Sequence, residues 1–170
     1  MEPEIVAQGK FLRLVKAGRW EYCERTRANG IVVIVPLIDP GQVVFVEQYR
    51  PPVKANCIEF PAGLSGDLAE AANESLATAA RRELLEETGF AAEELQYVGR
   101  AAPTAGLTSE VMSYFVARGL RRVAAGGGVE HEKITTHVVP LAEVRAWLQE
   151  QDKRAMISAM VYSGLYLSGN

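Results

Sequence analysis

Glu83, Glu86 and Glu87 lie three and four residues apart within Arg82-Glu83-Leu84-Leu85-Glu86-Glu87-Thr88-Gly89-Phe90. At about 100° per residue, a helix gathers all three onto one arc of its surface. Like charges about 4 Å apart repel by about 4 kcal/mol at an effective dielectric of about 20. Such a face is either bathed in water or holds a hard divalent cation. Carboxylate oxygens suit Mg²⁺ or Mn²⁺, and no His or Cys stands in this stretch to suggest zinc. Glu83 and Glu87, at i and i+4, have the spacing of a two-metal clamp.

More than the triplet matches a known pattern. The segment resembles the Nudix box, in which a Gly, a Glu and then Arg-Glu-apolar-x-Glu-Glu-x-Gly-apolar recur at set spacing. Glu74 lies where the box has its first Glu, ahead of Arg82, and Phe90 closes it after Gly89. The box expects a glycine where this chain has Leu68. Gly63, in Phe60-Pro61-Ala62-Gly63-Leu64, resembles the box glycine instead, which lengthens the following loop. Leu64 to Asn73 is therefore expected as a surface loop beside the metal site.

Gln48-Tyr49-Arg50, Glu59-Phe60-Pro61-Ala62-Gly63, Gly106-Leu107-Thr108-Ser109-Glu110 and Glu130-His131-Glu132-Lys133-Ile134 are similar to the ADP-ribose and nucleoside diphosphate sugar pyrophosphatase branch. The resemblance runs from about Trp20 to the C-terminal helix. It implies an α/β fold, the Nudix α/β/α sandwich with a mixed sheet, as one domain over residues 1–170. It also implies a homodimer in which N-terminal strands, within residues 1–28, help build the partner's site. Glu83 and Glu87 would bridge Mg²⁺ (or Mn²⁺), with Glu86 nearby and the Ala62 carbonyl completing the site. Arg82 would orient the glutamates by pairing with Glu86 or Glu74, while Gly63 and Gly89 shape the box. Arg50 resembles the pyrophosphate-binding arginine and Glu59 a substrate-side acid; an ordinary strand-end charge is the alternative for Arg50.

Hydrolysing a pyrophosphate needs a positioned water and a group to take its proton. With the box glutamates engaged as ligands, Glu86 stays a candidate but the base is expected elsewhere. Glu130 is the first choice, and Glu132 is an auxiliary ligand or alternate base. The preceding Ala125-Gly126-Gly127-Gly128 reads as a mobile loop that lets them close over substrate; two solvated loop acids are the alternative. Trp20 and Tyr22 either stack on a base or simply pack.

The branch usually carries a proline where this chain has Ala105, before Gly106, and Pro103 falls two positions early. That favours a broad nucleoside diphosphate sugar hydrolase, taking ADP-ribose, ADP-glucose or GDP-mannose to a nucleoside monophosphate and a sugar phosphate. A nucleoside triphosphate house-cleaning pyrophosphatase and a non-catalytic nucleotide-sugar sensor are the alternatives.

These residues need a scaffold. Phe11–Lys16 and Trp20–Arg25 alternate apolar and charged residues about Ala17-Gly18, predicting a hairpin extension. Ile31–Val35 and Val43–Glu47 are β-branched runs around Asp39-Pro40-Gly41. Glu74 to Thr88 predicts a helix stopped by Gly89. Further strands are expected near Leu95–Ala101, Val111–Ala117 and Ile134–Val139, and amphipathic helices over Leu141–Gln149 and Arg154–Leu167.

Composition narrows the partners. The chain has 170 residues, 48% hydrophobic and 23% charged, as an ordinary globular domain does. A net charge of −3 gives no electrostatic footprint for nucleic acid. The longest apolar run, Ile31 to Ile38, is interrupted by Pro36 and falls far short of a membrane span of about 20 residues. Cys23 and Cys57 form no close-spaced motif, and Gly126–Gly128 lacks the Gly-Lys-Ser/Thr of a P-loop. A cytoplasmic chain is expected, with a small-molecule partner and neither nucleic acid nor membrane.

Overall fold

The computed structural model describes residues 2–66, 72–129 and 132–170. Strand β4 (Gly30–Ile38) is the axis of the fold. Its β-branched run pairs in parallel with β9 (Met112–Arg122), from Ile31 opposite Met112 to Pro36 opposite Ala117. On its other edge it pairs antiparallel with β7 (Ala62–Ser65) and, at Leu37 and Ile38, with β5 (Gln42–Arg50). β5 is flanked by β6 (Ala55–Glu59) and β10 (Thr135–Pro140), and β8 (Phe90–Ala101) covers β9. The two-residue strand β11 (Met156–Ile157) adds in parallel to β6.

Side chains alternate across β4, and each set meets a different layer. Val32 and Ile34 pack with Ala79, Ala80 and Leu84 of α1 (Leu76–Thr88). Val33 and Val35, with Phe45, Ile58 and Phe60, pack against α2 (Val144–Gln151) and α3 (Ala159–Ser168) through Val144, Leu148 and Val161. Helices on both faces make the α/β/α sandwich with a mixed sheet. Each fully buried Val, Ile or Leu contributes about 1.5–3 kcal/mol. Gly164 lets α3 close on Phe60: a Cβ there would lie 2.6 Å from the ring.

The N-terminal extension is a three-stranded antiparallel sheet: β1 (Glu4–Gln8), β2 (Leu12–Ala17) and β3 (Trp20–Arg25). It is tied to the body where the Cys23 N–H donates to Leu107 O at 2.8 Å and the Ser109 N–H donates to Cys23 O at 3.1 Å.

Several boundaries differ from expectation. Glu74 precedes α1, because Ser75 is the N-cap and accepts the Thr78 N–H at 3.1 Å. Leu64 and Ser65 belong to β7, not to a surface loop; Ser65 is buried and donates its hydroxyl to Glu74 O. β8 starts at Phe90 rather than Leu95, since Gly89 at φ 76° turns the chain straight from helix into strand. Arg154–Leu167 is not one helix: β11 pairs with Cys57 and Ile58 before Ser158 caps α3. Among the described residues, no helix is long and apolar enough to cross a membrane.

Candidate active site

Helix α1 lies beside β7, and Gly63 is the point of closest approach. A Cβ on Gly63 would collide with the Glu83 carboxylate. One turn further, Glu87 is only 3% exposed and accepts the Ala62 N–H at 3.2 Å. Both carboxylates face a cavity of about 470 Å³ that Arg50, Ala62, Gly63 and Glu132 also line.

Arg82 stands behind these acids and is saturated. Its Nε and Nη2 donate to the two oxygens of Glu74 at 3.1 Å each. Nη1 donates to Glu83 at 2.7 Å and Glu86 at 3.1 Å, and Nη2 also reaches Leu64 O at 3.0 Å. Both expected partners, Glu74 and Glu86, are therefore engaged together. Glu86 sits on the Arg82 side of α1 and is not among the cavity-lining residues.

Arg50, at the end of β5, donates to Glu59 through Nε at 3.0 Å and Nη2 at 2.6 Å. Gln48 adds a 3.2 Å bond to the same oxygen. Glu59 is 5% exposed and stands behind Arg50 rather than in the cavity wall. Glu130 lies outside the described residues. Trp20 is 55% exposed and lines a separate cleft of about 420 Å³ with Tyr22, Ala105 and Gly106, so one chain does not bring it to the carboxylates. The glycine run expected to be mobile is instead bonded to the end of α1, the Gly127 N–H donating to Glu87 O at 2.9 Å.

Burial pushes the Glu83 and Glu87 carboxyls well above the usual carboxylate range, and neighbouring carboxylates, Glu132 among them, add to the rise. Arg82 partly offsets this for Glu83; for Glu87 only the Ala62 N–H and the more distant Arg50 do so. A divalent cation among these oxygens would relieve the repulsion that the protein's own cations leave. Hard carboxylate donors, with no His or Cys lining the cavity among the described residues, fit Mg²⁺ or Mn²⁺.

Sequence reasoning did not single out Arg25, whose Nε donates to Glu110 at 2.7 Å, or Met160; Arg25, Glu110 and Met160 line the cavity. Glu110 closes the segment Gly106–Glu110, whose resemblance to the pyrophosphatase branch is its signal. Arg25 and Met160 carry no local signal, because strand β3 and helix α3 bring them in from the two ends of the chain.

A model of the NUDIX domain matches residues 28–160. The chain is 30% identical over 174 residues to a methanol dehydrogenase activator of Bacillus methanolicus, covering 98% of this chain and 90% of that protein. It is 34% identical over 107 residues to an ADP-sugar pyrophosphatase of Mus musculus, covering 53% of this chain and 47% of the mouse protein. The crystal structure of an ADP compounds hydrolase superposes with a TM-score of 0.75 at 25% identity, over 99% of this chain and 90% of that one.

Proposed function

Because the chain belongs to the NUDIX family, we propose that it hydrolyses the pyrophosphate bond of a nucleoside diphosphate sugar of the ADP-ribose, ADP-glucose or GDP-mannose type. The products would be a nucleoside monophosphate and a sugar phosphate. One observation carries the reading: Glu83, Glu87 and Glu132 share a single cavity with Arg50. Acids that can hold a metal thus face a guanidinium that can hold a phosphate.

In this reading Glu83, Glu87 and the Ala62 carbonyl hold Mg²⁺ or Mn²⁺, with Glu86 adjacent. Bound there, the cation supplies Lewis-acid charge for the phosphoryl oxygens and lowers the pKa of water. Arg50 binds the diphosphate, and Glu59 and Gln48 keep its guanidinium aimed. Glu130 or Glu132 takes the proton from the water as it attacks phosphorus and the bridging P–O bond breaks. Arg82 touches no substrate; it fixes Glu83 and Glu86 on one side and Glu74 on the other.

Arg25, Ile31 and Glu110 also line a second cavity of about 550 Å³ with Tyr97 and Arg100 among others, and in this reading it takes the rest of the substrate. The protein acts in the cytoplasm as a homodimer in this proposal, with Trp20 and Tyr22 of one copy serving the partner's site. Exposed Ile5, Val6 and Trp20 on the N-terminal sheet, with Phe11 in the turn between β1 and β2, support that arrangement.

The test is incubation with Mg²⁺ or Mn²⁺ and ADP-ribose, ADP-glucose, GDP-mannose, UDP-glucose or dGTP, with products resolved by chromatography. A nucleoside monophosphate and a sugar phosphate are expected. Cleavage of dGTP alone would place the chain among triphosphate pyrophosphatases, and silence with both metals would make it a sensor; either overturns the proposal.

A further inference from the structure

The last turn of a helix leaves carbonyl oxygens without intrahelical partners. In α1 these include Glu86 O and Glu87 O, on the turn that carries Glu87 and follows the one that carries Glu83. Their partners come from far along the chain. The Gly127 N–H donates to Glu87 O at 2.9 Å and the Gly128 N–H to Glu86 O at 3.0 Å. Gly89 O accepts from Val123 at 2.9 Å and Ala124 at 3.1 Å.

Only glycine permits this approach. A Cβ on Gly126 would strike the Thr88 backbone, and one on Gly89 would strike Ala124 O. Gly126, Gly127 and Gly128 all have positive φ, at 72°, 105° and 85°. The Val129 N–H donates to the Glu132 carboxylate at 2.9 Å, the Glu132 N–H returns to Val129 O at 3.0 Å, and the Ile134 N–H donates to Gly127 O at 3.2 Å. A Cβ on Gly128 would lie 2.6 Å from Glu132 Cβ.

We infer that Gly126–Gly128 form a clasp that positions the Glu132 carboxylate against Glu83 and Glu87 by fixing its loop to the last turn of the helix that bears them. The inference rests on the proposed function for the role of those acids, and on geometry for the clasp itself. An error of about 1 Å in such a group costs up to about a hundredfold in rate, so the clasp matters for turnover more than for substrate affinity.

The experiment measures kcat and KM for Gly128→Ala, Glu132→Ala and the double variant on the diphosphate sugar the wild type cleaves. Gly128→Ala is expected to lower kcat about tenfold to a hundredfold with KM near wild type, and to cost nothing further in the Glu132→Ala background. An equal loss in both backgrounds, or a loss confined to KM, would overturn the inference. Amide hydrogen exchange on the metal-free wild type is the second measurement. Gly127 and Gly128 should exchange as slowly as the last turn of α1; exchange at open-loop rates would overturn the clasp. A wild type that leaves every diphosphate sugar intact overturns the substrate reading alone, and hydrogen exchange then still decides the clasp.

Discussion

Arg82 grips both carboxylate oxygens of Glu74 with Nε and Nη2, each at 3.1 Å, and thereby joins the residue before the helix cap to the second turn of α1. The same guanidinium holds Glu83 and Glu86. It is a hub: the chain leading into the helix and the acids leading out of it are set by one planar group.

Arg82→Lys keeps the charge but loses the fork. Stability should fall by about 1–3 kcal/mol, with turnover falling about tenfold or more as Glu83 loses its orientation. Denaturant unfolding and steady-state kinetics check this; wild-type values in both would show that charge alone suffices.

Glu83→Gln and Glu87→Gln should each lower metal-dependent turnover by about two orders of magnitude or more. The metal-free fold should tolerate both changes, because a neutral amide of the same shape replaces a carboxyl whose charged form burial disfavours. Circular dichroism and kinetics on the same samples separate the two effects. Wild-type rates in both variants would remove these residues from the metal site.

Arg50→Ala should raise KM by about tenfold to a hundredfold, the worth of a charge-assisted bond to phosphate of about 1.5–3 kcal/mol. Glu130→Gln should instead lower kcat with little change in KM. If Glu130→Gln raised KM alone, that residue would be a binding group and Glu132 the remaining base.

Glu47 gives a pH prediction away from the cavity. Arg154 holds its carboxyl down to about 2 through bonds at 2.7 and 2.8 Å, assisted by Asn56 and His137. A depressed folded-state pKa contributes stability above the unfolded value of 4.5, and that stability is lost as pH falls from there toward 2. Arg154 is half exposed, so screening limits the effect to about 1–2 kcal/mol. Unfolding midpoints at pH 7 and pH 3 should therefore differ less in Arg154→Ala than in the wild type.

Local patterns carried much of this architecture. The β-branched runs of β4 and β5, the glycine after Thr88 and the acid spacing along α1 each state their structure within a few residues. Long-range pairing did not show. β1 is exposed along its whole length, so it has no buried face to mark it, and β11 exists only because β6 offers an edge. A glycine run reads as freedom until its partner is known, and here the partner is the end of a helix well upstream. Arg25 likewise looks like the end of an amphipathic strand until Glu110 is placed beside it.

The alternation along β4 has a practical consequence. Val32 and Ile34 rest on the helix that carries Glu83 and Glu87, whereas Val33 and Val35 look toward α2 and α3. Adjacent positions thus address different neighbourhoods, and stepping one residue along the strand changes which helix feels the substitution. An engineer seeking heat tolerance has a handle in the face toward α2 and α3, at Val35 and its neighbours rather than at Val33, which pairs with Ala62 of the site. The opposite face is the one for altering catalysis without touching the cavity wall: a methyl group gained or lost at Ile34 would tilt the acid-bearing helix from beneath.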